Sequence, residues 1–324
     1  MAGQQYIEIR CKSALNRVQG MPFAWSLNPY RGCAHGCHFC YARVTHTYFE
    51  LDPGDDFRRI IFVKVNAPEV LRRELGRASW RREHVAIGTA SDPYQPAEGH
   101  YRITRQCLEA FADYASPCSV TTRGTLLLRD LDVLQALYAR TEFSVHISII
   151  TLEDALARRL EPGAPPPRQR LRALERLRAA GIPATVFLAP ILPGLTDRPE
   201  SLAAVVRAAA EHGACAVWPG VLRLAPGVKE WFEGFLAREF PSLLPTYRHL
   251  YAGRSSAPRH YHERTLSRVA ALAAGITWPL PPRPRAPRPS IAGASLHQST
   301  PPTSPAFTQA PLPLEERAED SCHA

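Results

Sequence analysis

Two periodicities alternate along this chain. Short runs rich in β-branched and aromatic residues are separated by longer stretches in which apolar residues return every three to four positions. The runs are RRIIFVKV (58–65), HVAIGTA (84–90), CSVTTRG (118–124), FSVHISII (143–150), PATVFLAPIL (183–192) and ACAVWPGVLRL (214–224). Between them lie helical patterns. PEVLRRELGR (68–77) opens on Pro68, and ITRQCLEAFADYA (103–115) puts Ile103, Cys107, Leu108 and Phe111 on one face. LLRDLDVLQALYAR (127–140), TLEDALARRLE (151–161), PRQRLRALERLRAAG (167–181) and PESLAAVVRAAAEHG (199–213), closed by Gly213, continue the series. Strand, helix, strand at this spacing requires parallel pairing through right-handed crossovers. With a first strand at WSLNPY (25–30), about six βα units result, so the expected class is α/β, a barrel or part-barrel.

After Pro226 the pattern changes. VKEWFEGFLAREF (228–240) and ERTLSRVAALAAG (263–275) read as amphipathic helices that cover the open side or end of the barrel. The expected organisation is an N-terminal segment at 1–20, the barrel at 21–225, a helical region at 226–278 and a Pro-rich tail at 279–324.

Composition sharpens this division. The chain has 324 residues, 45% apolar and 21% charged, which excludes a wholly disordered or collagen-like protein. Eleven of its 31 Pro fall after residue 278, in stretches such as PPRPRAPRP that support neither ladders nor helices, so a disordered tail of polyproline character is expected. The net charge is +9, and in the tail Arg283, Arg285, Arg288 and Arg317 balance Glu315, Glu316, Glu319 and Asp320. The excess therefore belongs to the folded part and favours polyanion partners such as nucleic acid. However, 36 of the 39 basic residues are Arg, a usage that a GC-rich genome also produces. No run approaches the roughly 18 apolar residues of a membrane helix. The start MAGQQYIEIR has no apolar leader region, so a cytoplasmic protein with reduced thiols is expected, with no membrane partner and a monomer as the favoured state.

In such a compartment a cysteine cluster points to metal. NPYRGCAHGCHFCYAR (28–43) holds Cys33, Cys37 and Cys40 as C-x3-C-x2-C directly after the first strand. Thiolates select zinc, copper(I) or iron–sulfur clusters. A structural zinc site is closed by four ligands, and His35 or His38 would supply the fourth. An iron–sulfur cubane held by three Cys instead leaves one iron open to a ligand. At the C-terminal end of a barrel strand, the loop sits where such barrels keep their active sites.

This motif, with aromatic Phe39 just before the third Cys, resembles the signature of the radical S-adenosylmethionine (radical SAM) superfamily. The stretches GTASDPYQPAEG (88–99), TTRGTLLLRDLDVL (121–134), HISIITLEDALARRLEP (146–162), APILPGLTD (189–197) and LRLAPGVKEWFEGFL (222–236) are similar to the branch of spore photoproduct lyase and DNA-repair-photolyase-like proteins. The resemblance spans about residues 20–275 and implies a partial (β/α)6 radical SAM barrel. It implies that Cys33, Cys37 and Cys40 bind a [4Fe–4S] cluster, whose fourth iron is chelated by SAM. One electron, from a reductant such as flavodoxin or ferredoxin, then yields a 5′-deoxyadenosyl radical that abstracts hydrogen from substrate. By branch analogy that substrate is a nucleic acid or nucleotide; modification of a protein or peptide is the alternative within the superfamily, and a non-catalytic Cys3His zinc protein binding nucleic acid is the alternative outside it.

The resemblance also assigns positions around SAM. Thr89, Ser91 and Asp92 end strand two, where the family places acceptors for the SAM amino group, although Ser-Asp-Pro is equally a favoured turn start. Arg123 ends strand three, where a guanidinium pairs with the SAM carboxylate. Ser148 lies near the ribose, Ala189 and Pro190 near adenine, and Phe39 and Tyr41 flank Cys40, where their rings pack on adenine or simply on the cluster loop. One departure matters: the lyases carry at the end of strand two a Cys that returns hydrogen to the substrate, and Thr89 stands there in this chain. A hydroxyl O–H is too strong a bond for that task. Cys107, Cys118 and Cys215 read as core, and the basic stretches 72–82 and 158–178 as solvated helix faces or a phosphate track.

Overall fold

The computed structural model describes residues 3–279. The expected tail at 279–324 lies outside them apart from its first residue. Among the described residues ten strands form in chain order: β1 (Gln5–Ile9), β2 (Leu15–Arg17), β3 (Trp25–Leu27), β4 (Tyr30–Arg31), β5 (Ile60–Lys64), β6 (Val85–Ile87), β7 (Cys118–Thr122), β8 (Phe143–Ser148), β9 (Ala184–Ile191) and β10 (Val217–Val221). Eleven α-helices accompany them among the described residues: α1 (Asp55–Arg59), α2 (Ala67–Leu75), α3 (Ala97–Tyr101), α4 (Ile103–Asp113), α5 (Leu131–Arg140), α6 (Asp154–Leu160), α7 (Pro167–Ala179), α8 (Pro199–Glu211), α9 (Val228–Glu239), α10 (Leu244–Leu250) and α11 (Arg259–Ala274). The main sheet runs β10-β9-β8-β7-β6-β3-β2. Its six strands from β3 to β10 pair in parallel, and β2 adds an antiparallel edge. This is the α/β part-barrel that the alternation predicts.

Packing follows from the pleat. In β8 the residues Phe143, Val145 and Ile147 are buried, and in β9 Ala184, Val186 and Leu188, so one face of the sheet meets the helices in a continuous apolar core. A second apolar cluster joins Cys37, Phe39, Ile150 and Leu160 to Phe232, Phe235, Tyr247 and Tyr251. The C-terminal helices thus cover the cysteine loop itself, while α11 lies against α8 and β10. Among the described residues no helix is long and apolar enough to cross a membrane.

Two features were not evident in the pattern. RRIIFVKV does form a strand, β5, but it leaves the barrel and joins β1 and β4 in a separate three-stranded sheet. The first twenty residues supply β1 and β2, so this segment is woven into both sheets. Glu74 of α2 pins it: its carboxylate accepts from the Ser13 hydroxyl at 2.6 Å and from the Ala14 and Leu15 amides, the last at 2.9 Å. Glu74→Ala leaves these buried amides without an acceptor and is expected to cost about 2 kcal/mol in denaturant unfolding; an unchanged midpoint would contradict this anchoring.

Candidate cluster site at the barrel rim

The cysteine loop is shaped by contacts to its backbone. Arg43, three residues past Cys40, turns back under the loop. Its Nε donates to the Cys37 carbonyl at 2.9 Å, Nη2 to the Gly36 carbonyl at 2.7 Å, and Nη1 to the carbonyls of Pro53 and Gly54. From the barrel side, Gln95 donates to the Gly32 carbonyl and accepts from the Ala34 amide at 2.9 Å, while the Ser91 hydroxyl also donates to Gly32 at 2.7 Å. The Cys33 amide donates to the Phe57 carbonyl, the His38 amide to Leu160, and the Gly163 amide to the His35 carbonyl. Two glycines make this fit possible. Gly36 has φ +63, and a Cβ there would lie 2.4 Å from Arg58; a Cβ on Gly163 would lie 2.2 Å from the Ala34 carbonyl.

A chain of polar contacts then links the strand ends. Asn28, after β3, donates to the Thr89 hydroxyl and accepts from the Ala90 amide at 2.7 Å. The Asp92 carboxylate, after β6, accepts from the Tyr94 amide, the Thr122 hydroxyl at 2.5 Å and the Arg123 amide at 2.7 Å, and lies 3.2 Å from His35 Nδ1. Arg123, after β7, donates from Nε to Glu161 at 2.6 Å with its guanidinium over the Phe39 ring. Glu161 also pairs with Arg170 at 2.6 Å, and Arg170 donates to the Ser148 carbonyl at the end of β8. Of the sequence-predicted positions, Thr89, Ser91, Asp92, Arg123, Ser148 and the three Cys therefore gather at one rim. Ala189 lies half-buried near the end of β9, and the Tyr41 hydroxyl donates to the Thr89 carbonyl. Arg43, Gln95, Glu161 and Asn28 went unpredicted, although each stands inside a quoted motif.

Electrostatics separates the thiols from the carboxylates. Burial pushes the Cys33 thiol well above its ordinary range and Cys37 up to about 12. Loading iron must therefore displace their protons. Burial also works to raise Asp92, but His35, the Arg123 amide and the Thr122 hydroxyl outweigh it and hold the carboxyl down to about 2.

The donor set can be set against two metal groups. A single tetrahedral ion needs four donors converging at about 2.0–2.3 Å, and among the described residues no group of three His, Cys, Asp or Glu side chains converges in this way. Of the two candidate histidines, His35 faces Asp92, and the His38 ring stacks on Phe235 at 4.0 Å and on Trp231 at 5.9 Å. In a cubane each thiolate takes a different iron, so the donors stand further apart. Two buried thiols, Cys33 and Cys37, and the half-buried Cys40, on a loop held through its backbone, fit that group.

Residues 27–206 match the model of the Radical SAM superfamily. The chain belongs to that superfamily. Its cofactors are accordingly a [4Fe–4S] cluster and SAM, and its reaction requires a reductant. Over 292 residues it is 41% identical to the uncharacterized protein Rv2578c of Mycobacterium tuberculosis, covering 88% of this chain and 86% of that one. It is 28% identical over 176 residues to a protein of Pseudomonas phage M6 named radical SAM Nalpha-GlyT isomerase, covering 53% of this chain and 34% of the phage protein. The fold is similar to spore photoproduct lyase complexed with dinucleoside spore photoproduct, with TM-score 0.63 and 16% identity over 82% of this chain and 78% of that one.

Asp92 gives this radical SAM rim a measurable signature. A carboxyl held below its unfolded value stabilises the fold above about pH 4 and loses that contribution as the pH falls toward about 2. In the iron-free chain, Asp92→Asn is expected to cost about 2 kcal/mol at neutral pH, with the difference from the parent vanishing in acid. A difference independent of pH would refute the assignment.

Proposed function

We propose that the protein cleaves SAM reductively to a 5′-deoxyadenosyl radical at this rim and uses it on a nucleic acid substrate. The observation that carries the reading is the Cys33, Cys37 and Cys40 loop, held by its backbone at the C-terminal face of a six-stranded part-barrel. The cluster, when loaded on these three residues, supplies the electron that breaks the C5′–S bond. The rest falls to the chain. Among the described residues only Nε of the Arg123 guanidinium has an acceptor, which leaves its terminal nitrogens for the SAM carboxylate. Thr89, Ser91 and Asp92 form the turn that receives the amino group; the side chains of all three are hydrogen-bonded within the protein, so they act by fixing that turn. Ser148 and Ala189 border the ribose and adenine, and Phe39 shields the loop under Arg123.

Three features support nucleic acid over peptide. The 3₁₀ helix Tyr41–Phe49, which begins directly after Cys40, exposes Tyr41, Tyr48 and Phe49, with the Arg31 guanidinium 5.1 Å from the Phe49 ring. Exposed rings beside Arg suit stacked bases and a phosphate backbone. The folded part carries the net positive charge, and the similar solved structure is complexed with a dinucleoside spore photoproduct. The Thr89 hydroxyl is engaged with Asn28 and offers no weak bond for hydrogen return, so the reaction differs from that of a lyase with a cysteine there.

Anaerobic reconstitution with iron and sulfide should give a brown protein that forms 5′-deoxyadenosine with SAM and reductant. Cys33→Ala, Cys37→Ala and Cys40→Ala should each abolish this; a colourless chain with one tightly held zinc would sink the reading. DNA or RNA should bind with an affinity that falls steeply with salt and should stimulate SAM cleavage. Stimulation by peptides alone, with no salt-dependent nucleic-acid binding, would transfer the chemistry to a protein substrate.

A further inference from the structure

Two arginines are almost wholly buried, and they are treated differently. Arg170 and Arg43 are each 1% exposed. Arg170 is paired with the Glu161 carboxylate at 2.6 Å. Arg43 has no carboxylate at ion-pair distance among the described residues: its four hydrogen bonds all go to backbone carbonyls, and its guanidinium lies between the rings of Phe57, at 5.2 Å, and Trp231, at 4.7 Å. Carbonyl dipoles and ring faces soften the burial of a full charge but do not neutralise it. A neutral donor would serve the same carbonyls without that desolvation.

The missing negative charge has an obvious place. Arg43 grips the carbonyls of Gly36 and Cys37, inside the loop that bears Cys33, Cys37 and Cys40. Those thiols become thiolates on binding iron. Three thiolates leave an oxidised cubane net negative, and an added electron makes it more so. We propose that Arg43 is the fixed counter-charge of the iron–sulfur cluster, a positioning residue that favours the thiolate loop and raises the cluster's reduction potential. The proposal rests on the three cysteines as ligands. Its physical content is electrostatic: a fixed positive charge beside the cluster stabilises the state carrying the extra electron.

Arg43→Lys keeps the charge and loses the planar fork; Arg43→Gln keeps donor capacity and loses the charge. Three quantities separate these roles: melting of the iron-free chain, iron and sulfide per chain after anaerobic reconstitution, and the midpoint potential without SAM. The lysine chain is expected to load like the parent and to keep its potential. The glutamine chain is expected to load less and to show a potential more negative by about a tenfold step in the one-electron equilibrium, about 59 mV. Equal iron content and equal potentials in the two variants would overturn the proposal and make Arg43 a hydrogen-bonding scaffold. So would failure of both to load while their iron-free chains still fold. If Arg43→Gln does not fold, the lysine chain decides: an unshifted potential supports the counter-charge, and a potential more negative by about 59 mV refutes it. A parent chain that takes up no iron strikes the ligand assignment first, and this proposal with it.

Discussion

A loop of eight residues with three thiols keeps those thiols together only if its backbone is held from outside. Left alone, its amides and carbonyls would compete for water or for one another. Here the Gly36 and Cys37 carbonyls accept from Arg43 below, the Gly32 carbonyl accepts from Gln95 and Ser91 and the Ala34 amide donates to Gln95 on the barrel side, the His38 amide donates to Leu160 at the end of α6, and the His35 carbonyl accepts from Gly163 beyond it. These contacts hold the loop backbone from three sides. The separate sheet of β1, β5 and β4 has a place in this scheme, because β5 directly follows α1, whose Phe57 carbonyl accepts from the Cys33 amide.

The same logic extends around the rim. Parallel strands bring their C-terminal ends to one side but do not join them there, since each crossover helix attaches behind the sheet. Asn28, Asp92, Arg123, Glu161 and Arg170 make the junctions from β3 to β8. Asp92 and Glu161 are carboxylates almost free of solvent, tolerable because each has cationic or N–H partners on several sides. A rim built this way is preorganised: a ligand meets groups already oriented by one another.

Much of this was legible in the sequence, for identifiable reasons. The six parallel strands followed from strand–helix alternation, because a parallel pair cannot be made without a crossover. The cysteine spacing announced a metal loop by itself. RRIIFVKV was legible as a strand but not as a strand of another sheet, because periodicity reports burial and carries no partner. Arg43 and Glu161 were hidden for a similar reason: one Arg among 36 looks like surface until its depth is known. His38, a zinc ligand by proximity in sequence, stacks on aromatic rings of α9, a helix about 190 residues further along the chain.

The central claim is that this loop holds three irons of a cubane and leaves the fourth open to SAM. The most direct measurement is the electron paramagnetic resonance spectrum of the anaerobically reduced, reconstituted chain, recorded with and without SAM. An open iron predicts a reduced-cluster signal whose g-values move when SAM is added. A signal that SAM leaves unchanged would mean that the fourth iron is already closed, and would contradict the account.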